Sequence, residues 1–169
     1  FSTYLPEIDS HRQVLEMLVG TGNDEGKIWE SYFFEGPYGS GKTHLLYSQY
    51  RAVALGEEFL ENLDLYTVFR TTHELLDEFQ QHELGKKEMR LLQALSGENA
   101  SWLHLFWDDA DKFKVTDFKL EMLFHLIDMI YKHNANLSIT SNLNLIELQE
   151  KLSPAICRRI DDICEKVKL

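Results

Sequence analysis

Eight residues, Gly36-Pro37-Tyr38-Gly39-Ser40-Gly41-Lys42-Thr43, constrain this chain more than any other stretch, because they satisfy the pattern G-x-x-x-x-G-K-[ST] at every fixed position. Such a loop works only as the link between a buried strand and a helix. Its glycines let successive backbone N–H groups turn inward around one centre, and the helix that follows adds the positive end of its dipole. The flanks meet that requirement: Tyr32-Phe33-Phe34 is a short apolar run ending at Gly36, and His44 to Tyr50 contains neither Gly nor Pro. The chemistry implied is a polyphosphate cradle. Lys42 is spaced to reach the β and γ phosphates of a nucleoside triphosphate and Thr43 to ligate magnesium, so ATP and Mg2+ are the expected ligands. Gly36, Pro37, Tyr38, Gly39, Ser40, Gly41, Lys42 and Thr43 make up the binding set, and His44 joins it through its backbone, with its ring on the helix surface.

The 169 residues suit a single domain with a sizeable core, and 44% apolar content is ordinary for a soluble globular protein. A net charge of −11 disfavours strong sequence-independent binding of an isolated chain to nucleic acid, so any DNA contact is expected to be local or shared within an assembly. Cys157 and Cys164 lack metal-ligand spacing and read as reduced thiols. No apolar run is long enough to span a membrane and no secretory leader is visible, which makes the cytoplasm the expected location. The chain opens on Phe1, which leaves room for an upstream segment carrying a partner-binding region.

Along the chain, strands and helices alternate. A helix capped by Asp9 or Ser10 carries Val14, Leu15, Leu18 and Val19, and a first strand runs from Ile28 to Glu35. The loop helix reaches about Leu55, with Gly56 expected to end it. Leu65 to Phe69 reads as a second strand, and Thr71-Thr72-His73-Glu74 as a capping box opening the next helix. A helical stretch from Lys86 to Leu95 and a loop from Ser96 to Ser101 lead to the apolar strand Leu103 to Trp107, with Trp102 and Trp107 both expected in the core. Asp117 to Lys132 is a helix apolar nearly all round, suited to the interior or to a subunit contact. Leu137 to Thr140 is the next strand, Leu145 to Leu152 a helix, and Ser153-Pro154 an N-cap and first helical position for Ala155 to Ile160. Ile163 to Leu169 is the last strand. The pattern predicts an α/β fold with a parallel five-stranded sheet sandwiched by helices, its ligand at the carboxyl ends of the strands.

Three constellations add chemistry to the loop. Asp108 and Asp109 directly follow a buried strand, where two adjacent acids need a cation or hydrogen bonds to stay ionised. Asp108 is suited to hold magnesium or its water, and Asp109 to orient or deprotonate an attacking water. Asn142 closes the fourth strand, where its carboxamide could bond the γ phosphate or the water, although Asn is also common in such turns. Arg158 and Arg159 end a short helix. One guanidinium supplied to a neighbouring subunit could stabilise charge on the γ phosphate, or either could pair with Asp161 or Asp162. His104, inside a strand, reads as a hydrogen-bonded core histidine.

Taken together, these residues resemble the AAA+ ATPases of the initiator and helicase-loader clade, in particular the DnaC/DnaI-type helicase loaders and the IstB-type transposition ATPases. Gly36 to Thr43 resembles the Walker A loop, Leu105 to Asp109 the Walker B strand, and Ile139-Thr140-Ser141-Asn142 the sensor-1 strand; Arg159, with Arg158 as alternative, falls at the arginine finger. An Asp stands at 109 where Glu is common, and no lid domain or sensor-2 arginine is visible after the arginine pair. The resemblance implies slow Mg2+-dependent ATP hydrolysis completed between subunits of an ATP-dependent homo-oligomer. The implied partners are a replicative helicase or a transposase-type protein, with DNA contacted through the assembly. A small-molecule phosphotransferase would use the same loop but wants an Arg-rich lid that does not follow Asp109, and a non-hydrolysing ATP-binding scaffold would not need the intact pair of acids.

Overall fold

Tyr32, Phe33 and Phe34 are all fully buried, which requires both faces of their strand to be covered, because successive side chains of a strand point to opposite faces. A computed structural model describes residues 30–57, 66–85 and 89–169 and shows how this is done. Strands β1 (Tyr32–Glu35), β2 (Thr67–Thr71), β3 (His104–Asp108), β4 (Asn136–Ser141) and β5 (Glu165–Lys168) form one parallel sheet in the order β2-β3-β4-β1-β5. Tyr32, Phe34, Phe106 and Val167 line one face, packed on Leu45, Leu46 and Val53 of helix α1 (Lys42–Glu57). Phe33, Leu105, Trp107, Leu137 and Ile139 line the other. That face is covered by α2 (Thr72–Glu83), α3 (Arg90–Ser96), α4 (Asp117–Lys132), α5 (Leu145–Leu152) and α6 (Pro154–Ile163). The parallel α/β sandwich expected from the alternation of elements is therefore present.

Several boundaries differ from the sequence reading. Helix α1 continues through Gly56 to Glu57, since one glycine weakens a helix only modestly. Tyr66 precedes strand β2 and the strand runs past Phe69 to Thr71, because its pairing with β3 extends from Thr67 opposite His104 to Thr71 opposite Asp108. The loop after α3 contains a short 3-10 turn, Ala100–Trp102. Trp102 is 54% exposed and meets Tyr66 edge-on, so it is not a core residue, whereas Trp107 is fully buried. Helix α6 runs on to Ile163, which delays β5 to Glu165. Only one face of α4 (Leu123, Leu126, Ile127, Ile130) is buried, leaving Phe118, Phe124 and Tyr131 partly exposed. The helix expected after Ser10, residues Ile28 and Trp29 of the first strand, Leu65 and the stretch 86–88 lie outside the described residues.

Where a side-chain cap is present, a helix start is legible in sequence because capping is local chemistry, whereas α3, which has none, starts at Arg90 and not Lys86. At α2 the Thr71 hydroxyl accepts from the Glu74 N–H and the Glu74 carboxylate accepts from the Thr71 N–H at 2.8 Å, closing the capping box. Those backbone bonds also hold the Glu74 carboxyl below the usual range. Thr71→Ala is expected to lower unfolding stability by about 1 kcal/mol, read by urea denaturation; an unchanged midpoint would mean that the hydroxyl adds nothing to the cap.

Candidate active site

The phosphate-loop residues leave β1 at Glu35 and enter α1 at Lys42 through a turn that only glycine tolerates in places. Gly41 has φ 86°, and at Gly36 a Cβ would lie 2.5 Å from the Leu169 carbonyl oxygen. The Lys42 side chain is buried under the loop and its ammonium donates to the Gly36 carbonyl (2.9 Å), the Pro37 carbonyl (2.7 Å) and the Ser40 hydroxyl (3.3 Å). Burial lowers its pKa, against the opposing field of Asp111, Asp109 and Asp108. Tyr38 stands at the loop tip, 92% exposed, and His44 lies exposed on the first turn of α1, where its ring was expected.

The ends of β3 and β4 meet this loop from the side. Asp108, 5% exposed, accepts at Oδ1 from the Thr43 hydroxyl at 3.0 Å and from the Thr140 hydroxyl of β4. The next residue, Asp109, takes a left-handed backbone conformation (φ 57°), uncommon outside glycine and concentrated at functional sites. Three bonds impose it. The Asp109 N–H donates to Thr140 Oγ1 (2.8 Å), and its carbonyl accepts from the Thr72 hydroxyl (2.7 Å) and from the Lys112 N–H (2.9 Å). Thr72 is itself fixed by the Trp107 indole N–H at 2.8 Å. Burial, together with the fields of Asp108 and Asp111, raises the Asp109 pKa.

Asn142, just past β4, is tied to a residue the sequence reading gave no role. Asp111 is 6% exposed and its carboxylate accepts from the Asn142 N–H (3.0 Å) and from the Asn142 carboxamide (3.1 and 3.3 Å). Burial alone would raise the Asp111 pKa, but the Asn142 donors and Lys112 outweigh it and the net shift is downward. Lys151 of α5 donates to the Asp111 carbonyl at 2.8 Å. The two oxygens of one carboxylate lie in nearly the same direction from the amide nitrogen and share one of its two diverging hydrogens, so Asn142 keeps one donor and its oxygen after satisfying Asp111.

The arginines lie apart from this cluster in their bonding. The Arg159 guanidinium donates to Asp128 of α4 (2.7 Å) and to the Ala155 carbonyl (3.3 Å), and stacks 4.7 Å over Phe124. The alternative partners expected for it, Asp161 and Asp162, are not used; Asp161 pairs with Lys166. Arg158 is exposed and forms no ion pair among the described residues. His104 is a fully buried core residue whose Nε2 meets Ser138 Oγ at 2.9 Å; burial pushes its pKa down to about 3. Both cysteines are buried and free, and burial raises their thiol pKa values, to about 11 for Cys157.

Thr43 and Asp108 offer a hydroxyl and a carboxylate, oxygen donors of the kind magnesium takes. Among the described residues no group of three or more His, Cys, Asp or Glu could cage a metal. A hydroxyl beside a carboxylate suits magnesium, which keeps several waters and shares its remaining positions with substrate phosphates. Asp111, Thr140, Thr72 and Lys151 are the contributors missed from sequence. Thr140 did carry a signal: a polar residue inside a strand buried on both faces must find a partner.

The five parallel strands and the loop joining β1 to α1 define a phosphate-loop α/β fold. Among solved structures, the chain is similar to a DnaC helicase loader (TM-score 0.75, 21% identity, covering 99% of this chain and 94% of that one). It is also similar to domain III of the Thermotoga maritima initiator DnaA (TM-score 0.69, 20% identity, covering all of this chain and 64% of that one). A third neighbour is DnaA bound to AMPPCP and single-stranded DNA (TM-score 0.67, 17% identity, covering all of this chain and 48% of that one). No family model matches the sequence, and no curated protein is similar to it by sequence. No helix among the described residues is long and apolar enough to cross a membrane.

Proposed function

We propose that this chain binds ATP with magnesium and hydrolyses it slowly as an AAA+ ATPase, acting as a helicase loader or replication accessory factor. The observation that carries the reading is the 3.0 Å bond between Thr43 and Asp108, which joins the loop to the β3 acid across 65 positions of sequence. Lys42 exchanges its loop carbonyls for the β and γ phosphates, a stronger charge-assisted pairing. Thr43 and Asp108 hold magnesium, which when bound spreads the phosphate charge and orients the chain of phosphates. Asp109 accepts the proton of the attacking water, and Asn142 uses its remaining amide donor to orient that water or the γ phosphate. An arginine of a neighbouring copy completes the site. Likeness to a helicase loader favours a helicase over a transposase as partner, and with a net charge of −11 any single-stranded DNA is contacted through the assembly.

Lys42→Ala is expected to weaken ATP binding by roughly a hundredfold or more, because it leaves phosphate charge without its fixed cation. Isothermal titration reads this directly. Unchanged affinity would remove the loop from the nucleotide site and the proposed function with it.

A further inference from the structure

We infer that Thr140 is a positioning residue whose single hydroxyl sets Asp108 and Asp109 relative to each other for hydrolysis; the inference rests on the hydrolytic reading above. Strand β4 lies between β1 and β3, with Thr140 in register with Phe34 just before the phosphate loop. Its side chain therefore sits at the seam between the loop strand and the acid strand. A hydroxyl has one proton and two lone pairs. Here the proton goes to Asp108 Oδ1 and a lone pair receives the Asp109 N–H at 2.8 Å, so one oxygen fixes the carboxylate of the first acid and the backbone of the second. The Thr140 carbonyl adds a third tie by accepting from the Ala110 N–H at 2.9 Å.

Two features argue that this tie serves geometry at the reacting centre and not packing alone. Asp108 Oδ1 has two hydroxyl donors, Thr43 and Thr140, but the reading above assigns the Thr43 oxygen to magnesium. Thr140 is then the donor that keeps the carboxylate in place. Asp109, in turn, has its left-handed backbone held at the carbonyl by Thr72 and Lys112 but at the N–H by Thr140, and that backbone sets where its carboxyl points. Thr140 is fully buried, so it touches neither solvent nor substrate and acts through the two acids.

Thr140→Val preserves shape and removes the hydroxyl. Outer-shell partners of metal ligands are worth about 10- to 100-fold in activity or metal affinity, and kcat is expected to fall within that range. ATP affinity measured in EDTA should stay unchanged, while the Mg2+ concentration that half-maximally tightens ATP binding rises. In nucleotide-free protein the Asp109 amide should exchange with deuterium faster. Thr140→Ser should restore all three readouts. If Thr140→Val does not fold, Thr140→Cys, with its weaker donor, should show the same losses. Wild-type kcat, Mg2+ response and Asp109 exchange in a folded Val or Cys variant would overturn the inference, as would a Ser variant no better than Val. A wild-type chain that fails to bind ATP overturns the hydrolytic reading and this inference together. A wild type that hydrolyses, an inactive Asp109→Asn and an unaffected Thr140→Val overturn this inference alone.

Discussion

Asp109→Asn is expected to bind Mg-ATP with wild-type affinity and to hydrolyse it about 100- to 10,000-fold more slowly, the range that positioned proton acceptors contribute. The substitution isolates proton acceptance from geometry. Asn is one of the few residues that tolerate a left-handed backbone, so the φ of 57° survives. The anchors of that backbone also survive, because Thr140, Thr72 and Lys112 all bond to main-chain atoms of residue 109. What is lost is a carboxylate whose basicity burial and the neighbouring Asp108 and Asp111 increase. Single-turnover hydrolysis beside equilibrium binding of a nucleotide analogue separates the two effects. A wild-type rate would move the proton acceptor to another acid, and Asp111, buried beside Asn142, would be the next to test.

The parts of this site visible in the sequence are those whose geometry is written into a few consecutive residues. The glycines of the loop force their own turn, the capping box at Thr71 and Glu74 closes over four positions, and the apolar run before Asp108 announces a strand covered on both faces. The fold followed from the same local signals. What stayed hidden depends on register between distant strands. Asp111 reaches Asn142 across 31 positions, and Thr140 reaches Asp108 across 32, only because β4 is seated beside β3. For Arg159 the sequence leaves open a finger role or pairing with Asp161 or Asp162, yet its partner Asp128 lies 31 positions away on α4. A helix end such as Gly56 is illegible for another reason: one glycine costs a helix little, so α1 continues to Glu57.

The arginine pair gives the other large expected effect, and its geometry separates the two residues. A guanidinium that completes a neighbour's site must present free donors outward. Arg159 instead turns Nη2 to Asp128 and Nη1 to the Ala155 carbonyl, leaves Nε buried without a partner, and lies over Phe124. Arg158 is exposed one position earlier and gives up no ion pair by reaching away. Arg158→Ala is therefore expected to fold and bind ATP normally but to lose about three to five orders of magnitude in hydrolysis, the worth of an arginine finger. Mixed with Lys42→Ala chains it should regain part of that activity, because an interface can then pair an intact loop with an intact arginine from different copies. Arg159→Ala should instead lower the melting temperature, since Asp128 would keep only Lys132, and hydrolysis per folded chain should change little. If Arg159→Ala is the variant that loses hydrolysis and is rescued by mixing, the finger is Arg159 released from Asp128. If neither variant loses activity, the nucleotide site is complete within one chain, and the activity of the wild type should not rise with protein concentration.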